Sequence, residues 1–361
     1  MELKKFEQIP ELLHSKNPNF TPPFPGSVVK LISPQGTFSE QHGTIFPFIA
    51  YDHGKPVGRI AAIINRSHNT YHQDRVGFFG FFECVDNSQV ATALFDTAAN
   101  VLREEGMRLL RGPYNPSIND DCGLLTEGFH APTFVSMPWN PPYYRGLYTE
   151  AGLESVRTLY AWMIPLQGET PARVNKIVER LRKRARVSIR SINMKNLEYE
   201  MTVLHRLYNA TLDRNWGFYP ISLEDLLHAA EDLKAIADPS LILFACIEDR
   251  EVAFSLSLPN VNELFHAARQ RKGLLRFLEM ALRVQFQKPK DARLCVLGVD
   301  PEHQNTGLSA LLFYEAYIRT KARYQRSEVS WVEANNTEIL EGAALMGGCR
   351  DRTYEIFEKP L

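Results

Sequence analysis

Apolar residues recur at two periods along this chain, and the switches between them lay out its elements. At Phe46–Asn65 an apolar run, FPFIAY, meets a second, VGRIAAIIN, across Asp52-His53-Gly54-Lys55, which predicts a β-hairpin. Leu241–Leu258 repeats the pattern, with LILFACI and VAFSLSL on either side of Glu248-Asp249-Arg250-Glu251. Val76–Val85 predicts an aromatic-rich strand, and Asp86-Asn87-Ser88 can cap the next helix. That helix shows Val90, Leu94, Ala98, Val101 and Leu102 at helical spacing and stops at Gly106. Arg108–Arg111 and Thr158–Leu166 predict strands around a polar, turn-rich segment. Further on, the spacing predicts a helix then a strand over Ala172–Lys195, a helix over Glu198–Arg214, and a capped helix from Ser222. A helical segment to about Gln287 precedes the strand Leu294–Val299 and a helix burying Leu308, Leu311 and Leu312. Strand Glu328–Val332, helix Thr337–Met346 with its stop at Gly347-Gly348, and strand Thr353–Glu358 complete the chain. At the other end, Phe6, Ile9, Leu12 and Leu13 mark a short amphipathic helix before a proline-rich segment around Thr21–Pro25.

The order of elements repeats. Phe48-Ile-Ala-Tyr-Asp-His-Gly parallels Phe244-Ala-Cys-Ile-Glu-Asp-Arg, and Val85-Asp86 parallels Val299-Asp300. AGLESVRTLYAW parallels GGCRDRTYEIF, with Gly152 opposite Gly348. Each half reads hairpin, strand, helix, strand, helix, strand, which predicts a duplicated α/β (α+β) fold with a mixed sheet flanked by helices. The expected domains are residues 1–165 and 166–361.

Composition narrows the class. A chain of 361 residues suits two domains, and 44% hydrophobic with 23% charged residues is ordinary for a globular protein. A net charge of −1 gives no global pull toward nucleic acid or membrane. Five scattered cysteines without CxxC spacing argue for reduced thiols in a cytosolic setting and for no metal site. No stretch has signal-peptide or membrane-spanning length, so the expectation is a cytoplasmic protein, monomeric or homodimeric, with peripheral contact at the inner membrane face left open. A local basic cluster, Arg173, Lys176, Arg180, Arg182, Lys183, Arg184, Arg186 and Arg190, reads as a solvated helix face, with lipid headgroups, coenzyme phosphates or RNA as the functional alternatives.

The chemistry concentrates in LCVLGVDPEHQNTGLSALL, residues 294–312. A strand, a Gly-containing turn and a helix in that order present unpaired backbone N–H groups at the positive end of the helix dipole, which suits an anionic phosphate. The turn resembles the pyrophosphate loop of the GNAT acyltransferases, strand–QxxGx(G/A)–helix, with Ser309 where Gly or Ala is usual. FFGFFE (78–83), GPYNPSIN (112–119), GLLTEGF (123–129), NPPYY (140–144), NWGFYP (215–220), PNVNEL (259–264) and WVEANN (331–336) extend the likeness over both halves. The whole chain resembles the bacterial ceramide-synthase-like, YghO-like group of tandem GNAT-fold proteins.

That resemblance implies transfer of an acyl group from acyl-CoA, acetyl or long-chain, to an amine, without a metal. The first half is then the acceptor side and the second the acyl-CoA side. For the coenzyme the candidates are the backbone of Leu297, Gly298 and Val299 and the turn Gln304, Asn305, Thr306, Gly307, Leu308 and Ser309, with Asn335 nearby and Arg319 or Lys321 in reach of phosphates. Three carboxylates are candidates for the base: Glu333 at the end of a buried strand, Glu263, and Glu83 ending the equivalent strand of the first half. Tyr148 matches the GNAT acid motif YxxxG(F/L), whereas the matching place in the second half is Ala344. Asn115, Asn119, Tyr143, Tyr144 and Trp216 are candidates for the acceptor, and Phe78, Phe79, Phe81, Phe82, Trp139 and Phe218 are either channel or core. The leading expectation is a lipid-directed N-acyltransferase acting on a sphingoid-base-like amine in sphingolipid biosynthesis. The alternatives are a small-amine N-acetyltransferase, a non-catalytic acyl-CoA-binding protein and, least favoured, an aminoacyl-tRNA-dependent transferase. No nucleic-acid partner is expected under the leading reading.

Overall fold

Two hairpins in the chain have turns with the same backbone geometry. His53 and Gly54 have φ of 45° and 79°, and Glu248 and Asp249 have 49° and 65°. Two successive left-handed residues give the primed turn whose twist matches paired strands. Each hairpin also slips by one residue just before its turn, at Ala50/Tyr51 in one and Ala245/Cys246 in the other. The computed structural model describes residues 3–184 and 187–361.

In chain order the first elements are α1 (Leu3–His14), α2 (Ser27–Ile32), a π-helical turn, β1 (Gly43–Asp52), β2 (Lys55–Asn65), α3 (Arg66–His72) and β3 (Val76–Cys84). Next come α4 (Ser88–Glu104), β4 (Leu109–Gly112), the short strands β5 (Tyr114–Asn115), β6 (Asp121–Cys122) and β7 (Leu124–Glu127), α5 (Tyr144–Glu150) and β8 (Glu154–Pro165). They are followed by α6 (Ala172–Arg184), β9 (Val187–Ser191), α7 (Leu197–Leu212), α8 (Leu223–Leu233), β10 (Ile242–Ile247) and β11 (Arg250–Pro259). The chain ends with α9 (Asn262–Ala267), α10 (Gly273–Phe286), β12 (Asp291–Val299), α11 (Leu308–Lys321), β13 (Arg326–Glu333), α12 (Thr337–Leu345) and β14 (Cys349–Pro360).

These elements form two compact units. The first holds the chain up to Leu159 together with Leu264–Leu282 and Arg352–Leu361; the second holds Tyr160–Glu263 and Arg283–Asp351. In the first, strands run β1-β2-β3-β4-β14, with β3 and β4 parallel and the other pairs antiparallel. The second orders them β9-β10-β11-β12-β13-β8, with β12 and β13 parallel. The closing strands have changed places relative to the sequence repeat. Phe357–Pro360 of the last strand completes the first unit's sheet against β4, and Tyr160–Pro165 of β8 belongs to the second.

Helices α4 and α11 are the crossovers that parallel neighbours require. Asn87 caps α4, its side chain accepting from Gln89 N and Val90 N, and Ala91, Leu94, Phe95, Ala98 and Leu102 turn inward. Each of the larger ones contributes roughly 1.5–3 kcal/mol by burial. Around α11, Leu308, Leu311, Leu312 and Phe313 pack on Leu243, Val252, Val299 and Val329. The segment expected as one helix up to Gln287 is two, α9 and α10.

Two members of the basic cluster are paired within the fold. Arg190 is held by Glu200 and Glu251 at 2.8 and 2.6 Å, and Arg182 by Glu315 at 2.8 Å. Arg186 and the side chains of Lys183 and Arg184 lie outside the described residues.

Candidate functional site: an open strand wedge in the second unit

In the second unit the two parallel strands part company. β12 pairs with β13 only from Asp291–Leu294 to Arg326–Val329, although the strands continue to Val299 and Glu333. A bulge lies at the same point: Leu256 faces Val296 but Ser257 faces Leu294, so Cys295 is an extra residue that bends β12 away. On its other edge β12 stays paired to β11. Asp300 N donates to Val252 O at 2.8 Å, and antiparallel alternation then turns the polar groups of Val296 and Gly298 toward β11. Leu297 and Val299 therefore direct their N–H and C=O groups into the wedge.

Beyond Val299, Asp300 caps a 3-10 turn by accepting from Glu302 N at 3.1 Å, and Gln304 Nε2 donates back to Val299 O at 3.4 Å. Gly307 then opens α11 with φ of 84°, in the left-handed region that favours glycine. Among the described residues, none of the backbone N–H groups of Asn305–Ala310 donates to an acceptor. Six such groups at a helix start can hold a diphosphate without charged side chains. Ser309 Oγ donates to Glu338 of α12, which accommodates the departure from Gly or Ala at this place. A Cβ on Gly307 would lie 2.5 Å from Leu181 Cδ2. Gly307→Val is therefore expected to weaken coenzyme A binding about tenfold, from left-handed strain of about 1–2 kcal/mol and a displaced turn; calorimetric titration with coenzyme A measures it. Arg319 and Lys321, expected near the phosphates, are not there. They sit about 16–20 Å along α11 by helical rise, on Ser191 and Gly168 respectively.

Two of the sequence candidates meet at the wedge. Trp216 N donates to Glu333 Oε1 at 3.1 Å, at the end of β13. Helix α7 closes against the same region, since a Cβ on Gly298 would lie 2.2 Å from Thr211 Oγ1. Asn335 is exposed and its carbonyl accepts from Thr337 N at 3.0 Å, while its neighbour Asn336 caps α12. Glu263 is elsewhere. Its carboxylate accepts from Lys290 N and Asp291 N at 3.0 and 3.1 Å, at the start of β12, about 26 Å of strand from Val299. Burial raises its pKa.

The equivalent wedge in the first unit is closed. β3 and β4 pair only from Val76–Phe78 to Leu109–Arg111, and β3 bulges at Phe81, with φ of 51°. Here the gap is filled. Asn115 Oδ1 accepts from Phe81 N at 2.6 Å, and a Cβ on Gly80 would lie 1.6 Å from Tyr114 O. Further along, Cys84 N donates to the Tyr144 hydroxyl and Cys84 O accepts from the Tyr143 hydroxyl, both at 2.8 Å. Asn115, Tyr143 and Tyr144, expected to hold the acceptor, are thus bound to β3 itself. Asn119 lies in the turn below, its N–H donating to Ser117 Oγ at 3.2 Å.

Glu83 belongs to this closure. Its Oε2 accepts from the Tyr144 hydroxyl at 2.8 Å and lies 2.9 Å from His14 Nε2, while Arg59 Nη2 lies 3.6 Å from Oε1. Burial, then Glu83, pushes the Tyr144 hydroxyl well up, and burial with Glu83 and Asp86 pushes the Cys84 thiol up to about 12. Both groups therefore stay protonated. Tyr148 packs edge-on against Phe79, Phe82 and Phe95 and is 1% exposed, a core residue. Phe78, Phe79, Phe81 and Phe82 are all buried, so the aromatic strand is core and not channel. His14 was absent from the sequence candidates, although it continues the Phe6–Pro10 stripe at i+4.

An open hollow of ≈ 440 Å³ lies in the first unit, lined by Gln73, Asp74, Arg75, Arg108 and Arg111, away from both wedges' candidate residues. In the second unit a cavity of ≈ 80 Å³ lies between α6, α11 and α12, lined by Val174, Val178, Phe313 and Ile339. It is well below the roughly 300 Å³ of a ligand pocket. Among the described residues, no group of three or more His, Cys, Asp or Glu side chains could hold a metal, and no helix is long and apolar enough to cross a membrane.

A bulged central strand only partly paired with its parallel neighbour, present in both units and followed in the second by a glycine turn at the next helix, defines a tandem GNAT fold. Solved structures agree. A tandem GNAT protein from the clavulanic acid biosynthesis pathway matches 99% of this chain and 94% of its own, with 10% identity and a TM-score of 0.56. The glucosamine N-acetyltransferase region of a fungal multi-domain beta-N-acetylglucosaminidase matches 99% of this chain and 37% of its own, with 14% identity and a TM-score of 0.59. No family model matches the chain. Among individual proteins, the chain is 29% identical over its whole length to Protein YghO of Escherichia coli K12, covering 93% of it. It is also 29% identical over its whole length to the bacterial ceramide synthase of Caulobacter vibrioides, covering 95% of it.

Proposed function

We propose that the protein is an acyl-transfer enzyme that moves an acyl group from acyl-CoA to the amine of a lipid-like acceptor such as a sphingoid base. The observation that carries the reading is the contrast between the two wedges: filled in the first unit, and open beside six unpaired N–H groups in the second. The lipid-like acceptor rests on the full-length likeness to the bacterial ceramide synthase. The second unit is the acyl-CoA side.

In this reading the N–H groups of Asn305–Ala310 hold the diphosphate, and the wedge faces of Leu297 and Val299 orient the pantetheine and thioester. A donor fixed at Leu297 or Val299 stabilises negative charge growing on the thioester oxygen. Glu333 takes one proton from the acceptor's ammonium; the freed nitrogen bonds to the acyl carbon, the C–S bond breaks, the sulfur leaves as thiolate, and the nitrogen's second proton is lost as the amide forms and passes through water to the sulfur. The tyrosine that would protonate it has no counterpart here. By backbone geometry Gly347, with φ of 81°, is the partner of Gly152, with φ of 79°. That places Ala343 opposite Tyr148, one residue from the sequence alignment, and leaves water as the proton source.

The test is mass-spectrometric product analysis with acetyl-CoA or palmitoyl-CoA as donor and sphinganine or spermidine as acceptor. N-acylsphinganine is the expected product. Preferential acetylation of spermidine would establish the small-amine alternative. Tight binding of coenzyme A with no transfer to either amine would establish a non-catalytic binding protein.

A further inference from the structure

Helix α10 is built inside out. Its inward side carries Arg276 and Met280, 8% and 0% exposed, and Arg276 Nη1 lies 2.8 Å from Glu11 Oε1 of α1. Its outward side carries Leu274, Leu275, Leu278 and Leu282, which are 71%, 66%, 47% and 55% exposed. The spacing i, i+1, i+4, i+8 sets these leucines in one stripe. A core helix would show the reverse polarity, and clustered exposed leucines mark an interaction face.

The charge beside the stripe selects the occupant. Arg271 and Lys272 are exposed at its N-terminal end. The helix has a single acid, Glu279, and Arg271 Nε already donates to it at 3.2 Å. A second copy docking stripe to stripe would therefore meet these cations with no free acid of its own helix. An anionic surface answers them, and an exposed ion pair such as Arg271–Glu279 is weak enough to exchange for a phosphate. The underside is firmly seated: Phe24 of the proline-rich segment packs on Phe265 and Phe277 at ring distances of 5.8 and 5.3 Å, and Thr21 Oγ1 lies 3.1 Å from His266 Nδ1.

We propose that the leucine stripe of α10 docks the protein on an anionic lipid surface, the leucines entering the headgroup–acyl boundary and Arg271 and Lys272 meeting headgroup phosphates. The docking surface goes beyond acyl transfer and stands without it. The test uses the full chain, with no donor or acceptor, sedimented with vesicles of phosphatidylcholine alone or mixed equally with phosphatidylglycerol. Sedimentation with the mixed vesicles is expected, falling with salt, and weakened about tenfold or more by L274E/L278E. R271Q/K272Q should lower binding to mixed vesicles without changing binding to phosphatidylcholine. Both pairs are exposed, so thermal melting should stay at the wild-type value. Absence of sedimentation, equal sedimentation of L274E/L278E, or a wild-type dimer that L274E/L278E dissociates in analytical ultracentrifugation would overturn the proposal. If L274E/L278E fails to fold, R271Q/K272Q decides alone: mixed-vesicle binding equal to wild type overturns it.

Discussion

Replacing Glu333 by Gln is expected to lower the turnover of acyl-CoA and amine by about 10²–10⁴-fold, the range for loss of a positioned base. The reason is local. Trp216 N fixes one carboxylate oxygen at the end of β13, where the wedge opens, and the other is left to take a proton. Coenzyme A affinity and thermal melting should hardly change, because Gln still accepts from Trp216 N. The variant also has a pH signature. Without a base it depends on amine already deprotonated in solution, and that fraction rises tenfold per pH unit below the amine's own pKa. The rate of Glu333→Gln should climb with pH accordingly, whereas a merely structural role gives no such slope. Wild-type turnover in the variant would remove Glu333 from the mechanism.

The other large effect is on stability. Glu83→Leu is expected to cost about 3–5 kcal/mol, the usual result of stripping one partner from a buried ion pair. Arg59 is 4% exposed; burial already pulls its pKa down, and Glu83 is the first group that pushes it back. Without Glu83 the guanidinium keeps the Phe6 carbonyl at 2.7 Å, the Phe6 ring and the weaker pull of Glu7, and the Tyr144 hydroxyl loses its carboxylate. A drop of about 10 °C in melting temperature should follow. Arg59→Met added to Glu83→Leu should restore much of it, because the pair is then replaced by apolar volume. Should Glu83→Leu melt like the wild type yet fail to transfer acyl groups, the first unit would be the catalytic one.

These two carboxylates look alike in the sequence: each stands at the end of a buried strand. Only the neighbours separate them. Glu83 is ringed by Arg59, His14 and Tyr144, and Glu333 by one backbone amide. Tyr143 and Tyr144 were legible as important but not as to role, because the strand atoms their hydroxyls reach lie some sixty residues away in sequence. The polarity of α10 was also beyond reach. A 3.6-residue period marks an apolar side without saying whether protein or water lies against it.

What the sequence determined by itself is whatever short-range geometry dictates. Two hairpins with left-handed turn residues, the glycine that starts α11, the Asn87 cap of α4 and the doubled element order all follow from interactions within a few residues. Tertiary structure decided which edge each closing strand completes, which of two like wedges stays open, and which carboxylate is engaged there. The reason is physical: a β-strand's hydrogen-bonding edge and a carboxylate's partners are supplied by distant chain, and no periodicity encodes the address of a neighbour it does not touch.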